Sequence, residues 1–292
     1  YRFVHGSIND KTLVENLMKE EKIDIVFHLA AESHVDRSIH SVEPFVTTNI
    51  DGTRTILEAI LNCRRDGHEV LLIHISTDEV YGSLGPEDPP FTEDTPLNPR
   101  NPYAATKAAS DFLVQAFSHT HGLPAVITRC SNNYGPNQFP EKLIPLMTLN
   151  ALEEKPMPVY GDGKQIRDWI HVDDHVDGIL TLAKALMKGE CAPGEVFNMG
   201  ADNEKTNIEI VRLLIELTNA SHNLVEYVTD RLGHDRRYAM GYSKMKERFG
   251  WKPRTGWGEG IRKTVQWYTD NTDWINSVRT GAYLDWIEQH YR

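Results

Sequence analysis

The sequence predicts an α/β fold, a doubly wound parallel sheet with a smaller, mixed α/β domain following it. Two observations predict this. Short apolar runs alternate with longer segments whose apolar residues recur at helical spacing, as in a sheet wrapped by helices. The runs are also continuous rather than alternating, as in Val70-Leu71-Leu72-Ile73, which suits strands covered on both faces.

Taken in order, Tyr1 to Gly6 reads as a strand ending in a turn, with no initiator methionine, so the chain is expected to begin part-way through a domain. A helix around Lys11 to Glu20 feeds a strand from Ile23 to Leu29. Another helix follows from about Pro44, with Ile56, Leu57, Ile60 and Leu61 on one stripe. Val70 to Ile75 is the next strand, and Gly82 to Asn101, rich in Pro, Gly and acids, is a loop. Pro102 suits the first turn of a helix running to about His121. Ala125 to Thr128 is again a buried strand. Beyond Asn132 the pattern loosens, with helices near 141–153, 173–187, 207–218 and 259–270 and short strands near Val159 and Val196. The expected division is a cofactor domain over 1–135, to which later segments return, and a mainly substrate-binding domain over 136–292. Five of the six tryptophans lie from Trp251 onward, which reads as packing for C-terminal helices.

Composition narrows the function. A formal net charge of −11 argues against general affinity for nucleic acid or anionic membrane. No apolar run approaches the length that spans a bilayer, and no signal-peptide pattern opens the chain. Cys63, Cys130 and Cys191 are odd in number and widely spaced, so a disulfide framework is disfavoured and a cytoplasmic setting is expected. Thirteen histidines invite a metal reading, but His119-x-His121 and Asp173-Asp174-His175 lack partners at zinc-like spacing. No metal is expected.

The strongest local signal is Tyr103-x-x-x-Lys107. Positions four apart on a helix share a face, so phenol and ammonium project together. A neighbouring cation stabilises phenolate, giving a base able to take a hydroxyl proton. Alone, the pair is a weak signal, since chance placement on an exposed helix face is the commoner origin of such a spacing. Ahead of it, Ser76-Thr77-Asp78-Glu79-Val80-Tyr81-Gly82 leaves a buried strand at its carboxyl end, where open α/β sheets bind ligands. Asp78 and Glu79 read either as a turn-forming pair of acids or as two carboxyls whose environments divide acid and base duties.

With these motifs the sequence resembles the extended short-chain dehydrogenase/reductase superfamily, whose sheet is Rossmann-like, and within it the dTDP-glucose 4,6-dehydratases. The resemblance runs through His28 to Ser38, Thr48 to Thr53, Arg129 to Pro136, Phe139 to Pro145, Gln165 to Trp169, Asn203 to Lys205 and Gly233 to Ala239. It implies NAD as cofactor and dTDP-glucose as substrate, oxidised at C4, dehydrated across C5 and C6 and re-reduced at C6. It implies Tyr103 as base toward the 4-hydroxyl, Lys107 on the cofactor ribose, Thr77 near the 4-oxygen, Glu79 removing the C5 proton and Asp78 protonating the departing hydroxyl. NAD would meet Ser7, Ile8, Leu29, Ala30, Ala31, Ser33, Thr48, Tyr103, Lys107 and Asn133. The sugar nucleotide would meet Ser33, Thr77, Asn132, Lys142, Leu143, Pro158, Val159, Tyr160, Arg167, Asn203, Asp230, Arg231 and His234. Arg167 suits a diphosphate because its planar fork matches phosphate oxygens, although a surface ion pair with Asp168 fits the bare sequence as well.

The family's glycine turn, which cradles the pyrophosphate, is not among the 292 residues. Ser7 stands where an acid reaching the adenine is usual, and Leu232 where proline is. The resemblance further implies a homodimer pairing the helices after Pro44 and Pro102 as a four-helix bundle. A nucleotide-sugar 4-epimerase shares the fold and the Tyr/Lys pair but has no use for the two acids. A UDP-glucose 4,6-dehydratase differs by one methyl on the base, and a non-catalytic NAD-binding protein has no need of a full proton-transfer set.

Overall fold

The structure is a computed structural model describing residues 1–279. Its centre is a parallel sheet of β1 (Ile25–His28), β2 (Leu71–Thr77), β3 (Ala125–Cys130) and β7 (Glu195–Met199), in that spatial order. Successive residues of a strand face opposite sides, and the central strands use both. Leu72 and Ile127 face helices α1 (Lys11–Glu20), α4 (Gly52–Arg65) and α5 (Pro102–His121). Ile73 and Val126 instead join α7 (Val172–Met187), α9 (Ser243–Phe249) and Trp251. Two apolar layers on one sheet explain why these strands read as uninterrupted hydrophobic runs, and they make the fold doubly wound.

The chain enters α4 through α2 (Val35–His40), the short α3 (Glu43–Phe45) and a π-helical turn over Val46–Asp51. A second assembly comprises a sheet of β4 (Asn132–Tyr134), β6 (Ile166–His171) and β8 (Glu204–Thr206), and a parallel pair of β5 (Met157–Tyr160) with β9 (Val225–Val228). Its core gathers α6 (Leu143–Leu152), α8 (Asn207–Thr218) and α10 (Trp257–Asp270), with α11 (Thr272–Val278) beyond. Trp267 and Trp274 pack edge to face, and Trp286 lies outside the described residues.

Several expectations change. Tyr1 to Ser7 form no strand, because no ladder adjoins β1 on that side among the described residues and a strand needs one. β6 carries no apolar run, since Arg167 and Asp168 are buried in it beside Trp169 and Ile170. α2, α9, β4, β8 and β9 are too short to show a period in sequence. Among the described residues no helix is long and apolar enough to cross a membrane.

Phe197, in the strand that returns to the sheet, is fully buried and meets Phe249 at 5.6 Å between centroids. Phe197→Ala should lower stability by about 3–5 kcal/mol in chemical denaturation. A loss below about 1 kcal/mol would show that β7 does not bear on the fold's cohesion.

Candidate active site

The site begins where β2 ends. Thr77 caps a tight 3₁₀ turn, Asp78–Tyr81, by accepting from the Glu79 amide at 3.3 Å, and its hydroxyl donates to Asp78 Oδ1 at 3.1 Å. Gly82 closes the turn at φ +86°, with the Asn98 carbonyl 2.5 Å from where a Cβ would stand, so only glycine fits. The turn buries Asp78 to 2% exposure and leaves Glu79 half-buried in the cleft. Burial, then the neighbouring Glu79 charge, pushes the Asp78 carboxyl well above the ordinary aspartate range. Its Oδ2 is buried with no partner.

Helix α5 supplies the facing groups. Asn101 caps it by accepting from the Ala104 amide at 2.8 Å, and the same side chain donates to Glu79 Oε2 at 3.1 Å. One residue thus starts the helix and holds a catalytic candidate. Sequence reasoning missed it, though Asn ahead of Pro102 is a capping signal. Tyr103 and Lys107 lie on one buried face of α5, as their spacing predicts. Lys107 Nζ donates to the Ile75 carbonyl at 2.7 Å, and burial lowers its pKa. The expectation that Lys107 pulls the phenol down needs correction. Burial, then Glu79, drives the Tyr103 pKa well up, while the adjacent Thr77 hydroxyl works the other way.

Behind Lys107, one turn along α5, Asp111 is fully buried. Arg129 Nε meets it at 2.9 Å and His74 Nε2 at 3.4 Å. Arg129 continues to the Tyr81 hydroxyl at 2.9 Å, which donates to Asn198 at 2.8 Å. This network pins β2, β3, α5 and β7 behind the reacting groups, and none of its members was foreseen.

On the β1 side, Leu29 and Ala30 lie exposed past the strand end, Leu29 at 61%. Asn49 takes the Glu32 amide at 2.9 Å and gives to its carbonyl at 3.0 Å, fixing the segment through Ser33. An apolar strip of peptide at the carboxyl end of a parallel sheet, with a buried lysine behind it, fits a dinucleotide such as NAD. Thr48 is half-buried nearby in sequence, and Asn133 donates to Cys130 Sγ and accepts at Oδ1 from His175 Nδ1 at 2.9 Å. Ser7 spends its hydroxyl on the Asn9 amide at 3.2 Å, and Ile8 packs on Gly52.

The adjoining pocket brings together Ser33, Glu79, Asn132, Lys142, Leu143, Pro158, Val159, Tyr160, Arg167, Arg231 and His234. Buried Asn132 Oδ1 has no partner there. Arg167 makes no ion pair with Asp168. Its guanidinium bonds the Ile166 and Asp235 carbonyls and stacks 4.2 Å from the Tyr238 ring. Asp168 instead accepts the Ala201 and Asn203 amides, at 3.0 and 2.7 Å. Thr77, Asn203 and Asp230 do not line the pocket. Asn203 braces the Trp169 carbonyl, and Asp230 holds His234 Nδ1 at 2.7 Å. Burial, then Arg231, lowers His234 to about 4, so its imidazole is neutral at pH 7. Burial also works against the Arg231 charge, but Asp36, 3.4 Å away, and Glu79 more than offset it.

His34, Asp36, Glu141 and Tyr238 also line the pocket, all within segments whose resemblance was noted without a role for them. Leu146, Met147 and Val211 line it too, and in sequence they look like any apolar helix face.

Comparison with known proteins gives a consistent result. A family model described as GDP-mannose 4,6 dehydratase matches residues 1–264. The dTDP-glucose 4,6-dehydratase of Shigella flexneri is 46% identical over 100% of this chain and 85% of its own. The crystal structure of the Bacillus anthracis dTDP-glucose 4,6-dehydratase in complex with NAD matches with a TM-score of 0.83 at 46% identity, covering 96% of this chain and 83% of that one. The Streptomyces venezuelae dTDP-glucose 4,6-dehydratase, also crystallised with NAD, gives 0.88 at 42%, covering 95% and 82%.

A carboxyl whose folded-state pKa is raised lends stability that is complete below the unfolded value and is lost as pH rises through the folded one. Asp78 is such a group. Thermal melts of Asp78→Asn should therefore exceed those of the parent increasingly as pH climbs from the ordinary aspartate range toward neutrality. Parallel curves across that window would show that ionised Asp78 is tolerated without cost.

Proposed function

The chain belongs to the GDP-mannose 4,6 dehydratase family, and from that premise we infer that it is an NAD-dependent lyase acting on dTDP-glucose. The product is the 4-keto-6-deoxy sugar nucleotide. NAD, when bound, accepts a hydride from C4 and returns it at C6, so it is regenerated within one cycle. Leu29 to Ala31, Ser33, Thr48, Asn133 and Lys107 would hold it.

The remaining chemistry is assigned to this chain's own groups. Tyr103 takes the proton of the 4-hydroxyl. The resulting ketone acidifies C5, and Glu79 removes that proton. Asp78 protonates the 6-hydroxyl as it leaves as water. The observation that carries this reading is the pairing at the end of β2 of a buried carboxyl pushed up in pKa with a half-buried carboxyl in the cleft. Such a pair divides acid from base. A 4-epimerase eliminates no water and has no task for either group.

Arg167 and Arg231 supply donors for the diphosphate, with Lys142, whose amino group bonds the Ser33 carbonyl at 2.8 Å, beside them; neutral His234 spends its one ring proton on Asp230. Leu146, Met147 and Val211 give the pocket an apolar wall suited to a base. We assign residues 1–135 to the cofactor-binding domain, joined by later segments, and 136–292 mainly to the nucleotide sugar. Phe112, 57% exposed on α5, supports a homodimer through α4 and α5, and three buried free cysteines support a cytoplasmic setting.

Glu79→Gln keeps the side chain's size and removes its basicity. It should still oxidise C4, so NADH accumulates on the enzyme while C5 stops exchanging with deuterated solvent. Intact exchange in this variant, with exchange lost in Asp78→Asn, would reverse the two assignments. For the base, kcat/KM on dTDP-glucose should exceed that on UDP-glucose by roughly 10–200-fold, the worth of one methyl in an apolar pocket. Equal values would place the methyl in solvent.

A further inference from the structure

The proposed roles leave a proton out of place after each turnover. Tyr103, as the phenolate that the positive nicotinamide ring of bound NAD would favour against the burial that raises its pKa, takes the proton from O4 while the hydride leaves C4. Glu79 takes the C5 proton and gives it back to C5 when the hydride returns to C6. The C6–O bond breaks, and the departing hydroxide takes the Asp78 proton to become water. The sugar has then lost one water, and Glu79 and the cofactor are restored. Tyr103 holds one proton too many and Asp78 one too few. No second substrate can be processed until that proton moves from the phenol to the carboxylate.

Both ends of that path are shut from solvent, with Tyr103 at 8% exposure and Asp78 at 2%. Thr77 stands between them. Its hydroxyl already donates to Asp78 Oδ1 at 3.1 Å and accepts the Glu79 amide at 3.3 Å. A hydroxyl has one proton to give and two lone pairs, so one acceptor site remains, and the phenol of Tyr103 is near enough to feel this hydroxyl. While the hydroxyl gives to Asp78, its remaining lone pair is open to the phenol. Its position is not adjustable, because the same oxygen caps the turn that carries both acids.

Resting on those roles, we propose that Thr77 is a proton relay, passing the Tyr103 proton to Asp78 between turnovers and so resetting the enzyme. In the transfer the phenol O–H breaks as a Thr77 O–H forms, and the original Thr77 proton passes to Asp78 Oδ1. No oxidant or external acid is consumed. The oxidised nicotinamide ring would carry a positive charge that the reduced ring lacks, so its regeneration would favour phenolate over phenol and bias the proton toward Asp78.

The test compares Thr77→Val, which has no hydroxyl, with Thr77→Ser, which keeps it. In rapid mixing with dTDP-glucose, the valine enzyme should release a burst of about one product per site. Later turnovers should then slow at least ~10-fold relative to the first, the low end for a lost proton-transfer group. The serine enzyme should show no burst. The ultraviolet absorbance of the Tyr103 phenolate should fall in the first turnover and recover slowly in the valine enzyme but promptly in the serine enzyme. Equal slowing of first and later turnovers by valine, with prompt phenolate recovery, would mean that Thr77 only binds the 4-oxygen and would overturn the relay. In the unsubstituted enzyme, phenolate recovery in mixed light and heavy water should report two protons in flight, and a single proton would also overturn it. Tyr103→Phe tests the underlying base role separately. Normal NADH formation in that variant would remove the surplus proton from Tyr103 and with it the premise.

Discussion

One hydrogen bond sets the geometry on which the site depends, the 2.7 Å contact from Lys107 to the Ile75 carbonyl. β1 pairs with β2 only as far as His28 opposite His74, whereas β3 follows β2 to Thr77. The last residues of β2 therefore run on with a strand neighbour on one side only. A lysine from α5 reaches in and takes a carbonyl of that segment, so helix and strand cannot slide past one another. Tyr103 is one turn before that lysine, and Thr77, Asp78 and Glu79 follow two to four residues after that carbonyl. Their mutual placement is inherited from the clamp.

The clamp also explains why the site tolerates so much buried polarity. An ammonium, a carboxyl and a phenol lie buried together, which is costly unless each is satisfied. Asp111 supplies a buried negative charge one turn from Lys107 and is itself held by Arg129 and His74. Asn101 steadies Glu79, and Thr77 steadies Asp78. Asp78 nevertheless keeps a bare oxygen. A buried acid that is incompletely satisfied is the condition for a raised pKa, so the cost at this point and the acid role proposed for Asp78 have one cause.

Sequence revealed these parts unequally, for physical reasons. The central strands were legible because burial on two faces writes an unbroken apolar run. α5 was legible to its ends because Pro102 and Gly122 mark them. Tyr103 and Lys107 followed from helical spacing read together with the segment ahead of them, in which the two acids stood out as charges leaving a dry strand. β6 was hidden because its buried residues include Arg167 and Asp168, whose partners are main-chain groups far off in sequence. The Asp111–Arg129–His74 network was hidden too, since nothing local distinguishes a buried ion pair from a solvated one. The pKa of Tyr103 was misjudged because a neighbouring cation is visible in sequence and burial is not.

The order of the central sheet has a consequence for synthesis. β3 leaves the ribosome well before Glu195–Met199, the strand that covers its outer side. Domains fold as the chain emerges, N-terminal parts first. For that interval β3, a wholly buried strand in the finished protein, is an apolar edge with unpaired amides and carbonyls, open to pairing with another nascent chain. Its protection comes from a segment made only after β4, α6, β5, β6 and α7, and the cleft itself awaits Arg231 to Tyr238. This architecture makes the half-synthesised chain the most vulnerable form of the molecule, and demand on chaperones should peak there.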